Sequence, residues 1–572
     1  MHPKPPDQNP DKAPRVTVRG PLAKLRQRLD RALDKFGRPS IQSQATLWPV
    51  ALLIGIAVGY AVILFRLAIS ALQTFFYGAD DIMLHSAAAA LPWYLVLPVP
   101  ILGGLAVGLL LTHFTPDAKA RGVADVIQAA ALRGGRVERK PGLAAAGAAL
   151  ITLSTGGSTG REGPAIHIGA VIASWVSNRL DATGLTGRDL LGCAVAAAVA
   201  ASFNAPLAGA LFALEVVLRH FALHAFGPIV LAGVAATVVS RIHLGNITEF
   251  TLPGHTVEFY WEMPAFALLG LFCGGIAVIM MRSIFFAEKV GDRVQAKFGV
   301  PDWARPALAG AMLGVLALQF PHIIGVGYET TTLALTEAIP FWLAVGFAIV
   351  KVAAVAITLA GRMGGGVFSP ALMLGALAGS AFGEVATDIF PAVSGSQGLY
   401  ALAGMGAVAG AVLGAPISST LIVFELTGDW QAGIAVMISV SLASVIADRL
   451  VARSFFLTQL EQAGLHLAGG PQGYLKRTLA CTHLMRMRGA EDGASDTACW
   501  ELHAQGASLR TTDTLERAMP MFERYRGPFL PVMRMPASGA EGEPELIGAL
   551  YQTDALRAYT RVLEEELREE HS

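Results

Sequence analysis

Two glycine-rich segments interrupt apolar stretches of this chain, and each ends on a proline at the same spacing. One covers residues 154–164 (STGGSTGREGP) and the other covers residues 360–370 (AGRMGGGVFSP). In each segment a glycine, Gly160 or Gly366, stands four positions before the proline. Proline suits the first turn of a helix because its missing N–H would be unpaired there anyway. The pattern therefore predicts two helices that begin within a membrane.

Helix starts of this kind expose unpaired N–H groups and a partial positive charge, which favours anions. Broken helices at matching positions of two halves are a sequence marker of a transport site. The composition agrees with a membrane location, because 53% of the 572 residues are apolar and the mean hydropathy is +0.52. Such values indicate an integral membrane protein rather than a soluble enzyme.

An internal repeat extends beyond the two breaks. Pro100 and Pro306 each lie 64 positions before the proline that ends a break. Farther along, residues 204–215 (NAPLAGALFALE) parallel residues 414–425 (GAPISSTLIVFE). The offset between the halves is 206 positions at the early landmarks and 210 at the last one. The residues alone leave open whether the halves are parallel or inverted, because the helix count is uncertain.

The chain divides into three predicted parts. Residues 1–45 carry ten Lys or Arg against four Asp, with leucines at helical spacing. We expect a cytosolic basic segment with an amphipathic helix, either on the membrane surface or packed on the protein's own cytosolic face. Residues 46–457 form the predicted transmembrane domain, with repeats at about 46–245 and 260–457.

Residues 458–572 are mixed in character and predict a small cytosolic α/β domain. A helical pattern covers residues 512–525, although Pro520 would kink or end that helix. Two short strands and a charged helix are predicted to follow, at residues 528–533, 546–550 and 554–570.

The motifs resemble those of the CLC family of chloride channels and chloride/proton exchangers. Residues 160–164 match the family's GREGP motif, residues 366–370 match GxFxP, and residues 203–215 resemble FNAPLAG…E. The resemblance covers about residues 46–460. It implies an all-α polytopic membrane fold, built as a CLC-type inverted repeat of tilted and broken helices. It also implies a homodimer with a separate pathway for chloride or a related anion in each subunit, and no nucleic-acid partner.

Glu162 has the most specific predicted role. A carboxylate beside a helix N-terminus is attracted to the same partial charge that would hold chloride. It can therefore compete with the anion for one site and leave when it is protonated. The resemblance implies that Glu162 is the external gating glutamate, and the alternative is a helix-capping glutamate without a transport role. Arg161 is expected either to steer anions or to form a structural ion pair.

Backbone donors suit chloride, a weakly hydrogen-bonding anion that must also leave quickly. The resemblance implies anion-binding groups at Gly122, Val123, Arg161, Gly163, Val367 and Phe368.

Three positions depart from the family pattern. Arg121 stands where the family has an anion-binding serine; it either tightens binding, blocks the inner mouth, or turns away and leaves the amides of Gly122 and Val123 to the ion. Phe456 stands at the inner-gate tyrosine and lacks its hydroxyl donor. Val216 stands where exchangers have an internal proton-transfer glutamate, and valine cannot carry a proton.

The preceding Glu215, like Glu425 in the second half, is expected to be structural and to cap or pair at a helix end. Val216 favours passive conduction. The first interpretation is thus an anion channel gated by Glu162. The alternative is a chloride/proton antiporter with a non-standard internal proton route, such as water, and an intramembrane enzyme is a remote alternative. Glu162 and His167 form no HExxH motif, so no metal is expected.

The C-terminal part resembles one CBS domain. The resemblance places Thr553 and Asp554 where such domains bind ribose or phosphate, so adenine nucleotide is a candidate ligand and a dimer-stabilising tail is the alternative. No other cofactor is expected. A short chain with one CBS-like unit is typical of bacterial members, so we expect the inner (plasma) membrane of a bacterium. Both termini are expected to be cytoplasmic.

Overall fold

The computed structural model describes residues 44–571 apart from 183, 222, 246–261, 392–393, 395, 428–429, 452, 466–478, 491 and 535–543. The predicted amphipathic helix of the N-terminal segment lies outside the described residues. Within them, eight helices are long and apolar enough to cross a membrane. The prediction of an all-α polytopic membrane protein with a small α/β tail is confirmed.

The helices of the first half are α1 (Gln44–Tyr77), α2 (Leu84–Ala90), α3 (Trp93–Val96), α4 (Pro98–Phe114), α5 (Val123–Leu132), α6 (Arg139–Ser154), α7 (Glu162–Arg179), α8 (Gly184–Phe203), α9 (Pro206–Phe212) and α10 (Leu223–Leu244). Helix α9 continues directly into a π-helical turn, Ala213–Leu218.

The helices of the second half are α11 (Met263–Phe298), α12 (Arg305–Gln319), α13 (Tyr328–Leu335), α14 (Phe341–Ala360), α15 (Phe368–Ile389), α16 (Gln397–Leu413), α17 (Pro416–Thr427), α18 (Trp430–Leu450) and α19 (Phe455–Gln462). A short 3-10 turn, Pro321–Ile323, precedes α13.

The repeat landmarks are contact points between the two halves. Helices α4 and α12 pack on each other. A Cβ at Gly104 would lie 2.2 Å from the Pro306 carbonyl oxygen, and a Cβ at Gly310 would lie 2.0 Å from the Pro100 carbonyl oxygen. Only glycine permits so close a backbone approach at either position, and each half therefore supplies the glycine that its counterpart's proline turn packs against.

Two glutamates form a second reciprocal contact. Glu215, at the end of the α9 segment, accepts hydrogen bonds from the Ile417 and Ser418 amides at the start of α17, at 3.0 and 2.8 Å. Glu425, near the end of α17, accepts from the Leu207 and Ala208 amides at the start of α9, at 3.1 and 2.9 Å.

Each carboxylate thus satisfies unpaired N–H groups of the opposite helix and complements its dipole. This pattern requires α9 and α17 to run antiparallel, as an inverted repeat demands. The expectation that Glu215 and Glu425 cap helix ends agrees with these bonds.

The tail contains α20 (Cys481–Leu484), β1 (Arg486–Met487), α21 (Asp496–Ala504), β2 (Leu509–Arg510), α22 (Leu515–Tyr525), β3 (Phe529–Arg534), β4 (Glu545–Tyr551) and α23 (Gln552–His571). The strand order is β1-β4-β3-β2, in which β2 and β3 are parallel and the other pairs are antiparallel.

Helix α22 continues through Pro520, so of the two expected effects, a kink or an end of the helix, the end is wrong. Leu515, Ala518 and Phe522 are buried on one face of the helix, whereas Pro520 is exposed. The backbone carbonyl left without a partner by the proline can therefore bond to water, while the buried face keeps the helix docked.

Cys481, the first residue of α20, is buried in the core of the tail. Burial raises the pKa of its thiol to about 12, which disfavours the reactive thiolate.

Candidate functional site

The two glycine-rich breaks meet. Gly160 and Gly366 form an antiparallel β-bridge, with the Gly160 amide 2.7 Å from the Gly366 carbonyl oxygen and the Gly366 amide 2.9 Å from the Gly160 carbonyl oxygen. The Thr159 hydroxyl also donates to the Gly366 carbonyl, at 2.9 Å. A Cβ at Gly163 would lie 3.3 Å from Gly366 Cα, so the first turns of both helices are in close contact.

Helices α7 and α15 therefore begin side by side, directly after the bridge. The first N–H groups of a helix have no partner within the helix, and its N-terminus carries a partial positive charge. Two such ends at one point form a region that attracts negative charge, and backbone N–H groups are sufficient to produce this attraction. The sequence predicts two helices that begin within a membrane after the glycine-rich breaks; in the structure, helices begin at Glu162 and Phe368, and both residues are buried.

The carboxylate of Glu162 lies in this region. Glu162 is the first residue of α7 and is only 2% exposed. Its Oε1 accepts a hydrogen bond from the hydroxyl of Ser369 in the first turn of α15. A Cβ at Gly160 would lie 2.7 Å from Glu162 Oε2 and 3.1 Å from the Ser369 amide nitrogen. The carboxylate and the start of α15 therefore face the same small space.

Arg161 is paired with Asp81 and Tyr328. Its guanidinium lies 3.6 Å from the Asp81 carboxylate and 4.8 Å from the centre of the Tyr328 ring. Gln73 donates to the other oxygen of Asp81, at 2.7 Å. Of the two alternatives for Arg161, this geometry favours the structural ion pair, and a contact with an anion remains a prediction.

Phe368 is the first residue of α15, Val367 directly precedes it, and both are buried. The Phe368 ring packs against Phe203 and Phe212, with ring centroids 4.8 and 6.2 Å apart. These contacts hold the first turn of α15 against α8 and α9, so its amide groups keep a fixed direction. Fixed backbone donors are what the predicted anion-binding role requires.

The start of α5 differs from the other two helix starts. The Gly122 amide donates to the Asp125 carboxylate at 2.8 Å, one half of a capping box. Arg121 lies 3.0 Å from Asp117 and 3.6 Å from Asp125. Of the alternatives for Arg121, the ion pairs fit the one in which it turns away. The Gly122 amide, however, is bound to a carboxylate of the chain itself, so an anion would need to displace Asp125. Val123 remains buried beside Gly163.

The remaining two departures are far from the bridge in sequence. Phe456 is buried in the first turn of α19, a helix that packs against α5. Val216 lines a cavity of about 570 Å³. The polar side chains of that cavity include Glu215, Arg219, Ser444, Asp448, Arg453 and Ser454.

Sequence reasoning missed four polar residues of this region. Ser369 occupies the second variable position of GxFxP, and Asp125 lies at capping-box spacing after Gly122. A local sequence pattern could therefore have pointed to both residues. Asp81 and Lys351 had none, because their partners are distant in sequence. Lys351 is fully buried in α14 and donates to the carbonyl oxygens of residues 323 and 325, at 3.4 and 3.2 Å.

The predicted nucleotide-binding residues lie at the start of α23. Arg486 binds Asp554 at 2.8 Å, and its guanidinium stacks 4.1 Å from the centre of the Tyr551 ring. Thr553 is exposed. A nucleotide that used Asp554 would therefore need to displace Arg486. Among the described residues no group of three or more His, Cys, Asp or Glu could hold a metal ion.

Comparison with known proteins gives a consistent result. The family described as "Voltage gated chloride channel" matches residues 103–448. A ClcB-like chloride channel protein of Ralstonia nicotianae is 30% identical, over 72% of this chain and 96% of its own length. The voltage-gated ClC-type chloride channel ClcB of Escherichia coli is 31% identical, over 70% of this chain and 95% of its own.

Among solved structures, a slow cyanobacterial Cl⁻/H⁺ antiporter shares the fold, with a TM-score of 0.65 and 22% identity over 73% of this chain and 97% of its own. Members of this family are channels or transporters and not enzymes. With its paired helix starts and eight candidate spans among the described residues, this chain is an integral membrane anion-transport protein that belongs to the voltage-gated chloride channel (CLC) family.

Proposed function

We propose that this protein conducts chloride or a related anion passively, and that Glu162 is the gate. The observation that carries the proposal is the buried carboxylate of Glu162 between two helix N-termini. A carboxylate and a chloride ion compete for the same partial positive charge, so an anion can use this place only when the side chain leaves. Protonation of the carboxyl group removes that attraction and opens the pathway, which makes flux rise as external pH falls.

Passive conduction is supported by Val216. An exchanger must pass protons between the gate and the inner solution, and an apolar side chain at this position cannot hold one. The test is chloride efflux from liposomes that contain the purified protein, with external pH recorded at the same time. Efflux without uphill proton movement supports a channel.

A chloride/proton antiporter is the second candidate. The cavity beside Val216 is large enough for water, which could relay protons in place of a side chain, and the cyanobacterial antiporter has the same fold. Proton uptake that a chloride gradient drives uphill in the same liposomes would establish exchange and overturn the passive proposal.

The proposed organisation has a cytosolic basic segment (1–45), a transmembrane domain (46–457) and a cytosolic CBS-like domain (458–572). The proposed assembly is a homodimer in the inner membrane of a bacterium, with both termini cytoplasmic. Helices α9 and α17 expose Leu207 and Ile417, apolar side chains available to a second subunit. The mass of the detergent-solubilised protein tests the dimer, and protease access to the tail in inside-out vesicles tests the orientation.

A further inference from the structure

We infer that Ser369 is a latch for the gate: its hydroxyl holds the Glu162 carboxylate in the closed position and sets the external pH at which the pathway opens. This inference rests on the proposed gating role of Glu162 and adds a residue that controls it.

The latch is built from two buried side chains on opposite halves of the molecule. Ser369 and Glu162 are each 2% exposed, and the hydroxyl donates directly to Oε1. Ser369 is the third residue after Gly366, the position that Gly163 holds after Gly160. The second half thus supplies a side-chain donor at the place where the first half has only backbone.

The hydroxyl favours one state of the gate over the other. A hydrogen bond to an ionised carboxylate is shorter and stronger than one between neutral groups. The bond therefore stabilises the charged, docked side chain more than the protonated or withdrawn one. An interaction that differs between two states shifts the equilibrium between them, so loss of the hydroxyl makes opening easier at every external pH.

Charged and titratable groups also lie on the elements packed around the two breaks. They are Tyr77, Asp81, Arg121, Asp125, Arg161, His167, Tyr328 and Lys351. Ser369→Ala leaves all of them in place, so a change in the pH profile of that variant reports the hydroxyl alone.

The experiment is chloride efflux from liposomes as a function of external pH for wild type, Ser369→Ala and Ser369→Thr. Hydrogen bonds to charged groups support an expected shift of about tenfold in proton concentration, so the midpoint of Ser369→Ala should move about one pH unit higher. Ser369→Thr restores a hydroxyl and should return the midpoint towards wild type. Ser380→Ala removes another buried hydroxyl of α15, near Gln397, and should leave the profile unchanged.

The same substitution in a Glu162→Ala background identifies the partner. There the latch has nothing to hold, so Ser369→Ala should cause no further change in flux. An equal change in both backgrounds would mean that Ser369 acts on the pathway and not on the gate. A wild-type midpoint in Ser369→Ala, when Glu162→Gln has lost its pH dependence, would overturn the latch and leave the gate intact. Persistent pH dependence in Glu162→Gln would overturn both.

Discussion

The two helix breaks have matching backbones and different side chains. Both form a glycine bridge to each other and both lead into a helix after the same number of residues. The first break carries Arg161 and Glu162 where the second carries Val367 and Phe368. One half thus supplies two charged side chains, and the other supplies a first turn that packs on Phe203 and Phe212.

A further difference follows one position later. Gly163 brings its backbone within contact of Gly366, whereas Ser369 extends a hydroxyl to Glu162. The two halves thus share one scaffold, two helix N-termini at one point, and differ in three side chains. Under the proposed function, these three differences would divide gating and anion binding between the halves.

The largest effect is expected from removing the charge that distinguishes the first break. Glu162→Gln keeps the size of the side chain and cannot ionise, so flux should be high at neutral pH and nearly independent of pH. One titrating group changes its ionised-to-neutral ratio about tenfold per pH unit. Efflux measured across three units of external pH would therefore separate a lost gate from an intact one, and a wild-type slope in the variant would show that the gate lies elsewhere.

Stability should depend on the contacts that the halves share. Gly310→Ala places a methyl group against the Pro100 carbonyl and should cost about 1–3 kcal/mol by overpacking. Gly346→Ala is the control, because a Cβ at that helical position meets no atom within 4 Å. Unfolding midpoints in detergent should fall for the first variant and stay level or rise for the second. Equal midpoints would contradict the close contact between α4 and α12.

The crossed caps should be unequal. Glu215 binds the Ser418 hydroxyl in addition to two amides, whereas Glu425, within the described part of the chain, accepts from two amides of α9. Hydrogen bonds to a charged group contribute about 1.5–3 kcal/mol, and Glu215 makes one more of them, so we expect Glu215→Ala to lower the unfolding midpoint more than Glu425→Ala. The reverse order would show that the number of cap bonds does not set their strength.

The smallest effect is expected at the start of α5. Arg121→Ser removes a side chain that is paired with Asp117 and Asp125, so anion selectivity should change little. Asp125→Ala frees the Gly122 amide for an anion and should alter the chloride-to-nitrate flux ratio more. A larger effect of Arg121→Ser would mean that its side chain reaches the pathway.

Much of the membrane domain could be predicted from sequence because its landmarks are local. The glycine and proline spacing of each break, and the glutamate at the end of each NAP-like or GAP-like segment, are readable over a few residues. Their partners are not, since the Glu162–Ser369 bond joins positions 207 apart in the chain. Periodicity and spacing carry no information about contacts at that separation.

Two features of the C-terminal tail depend on packing that a local sequence pattern does not contain. A local pattern with Pro520 predicts a kink or an end of α22, but the helix continues, because Leu515, Ala518 and Phe522 are buried on its opposite face and hold it on the domain. Arg486 closes on Asp554 through the packing of β1 beside β4, a pairing of strands far apart in sequence. The tail contains the two predicted strands and the charged helix, whose turn and alternation signals are local.

The central claim is that the starts of α7 and α15 form one anion site for which Glu162 competes. Anomalous scattering from bromide in crystals of wild type and of Glu162→Gln tests it most directly. We predict a bromide ion within hydrogen-bonding distance of the Val367 or Phe368 amide in the variant, at the place that the carboxylate occupies in the wild type. Bromide at that place in both proteins, or at neither while other sites fill, would contradict it.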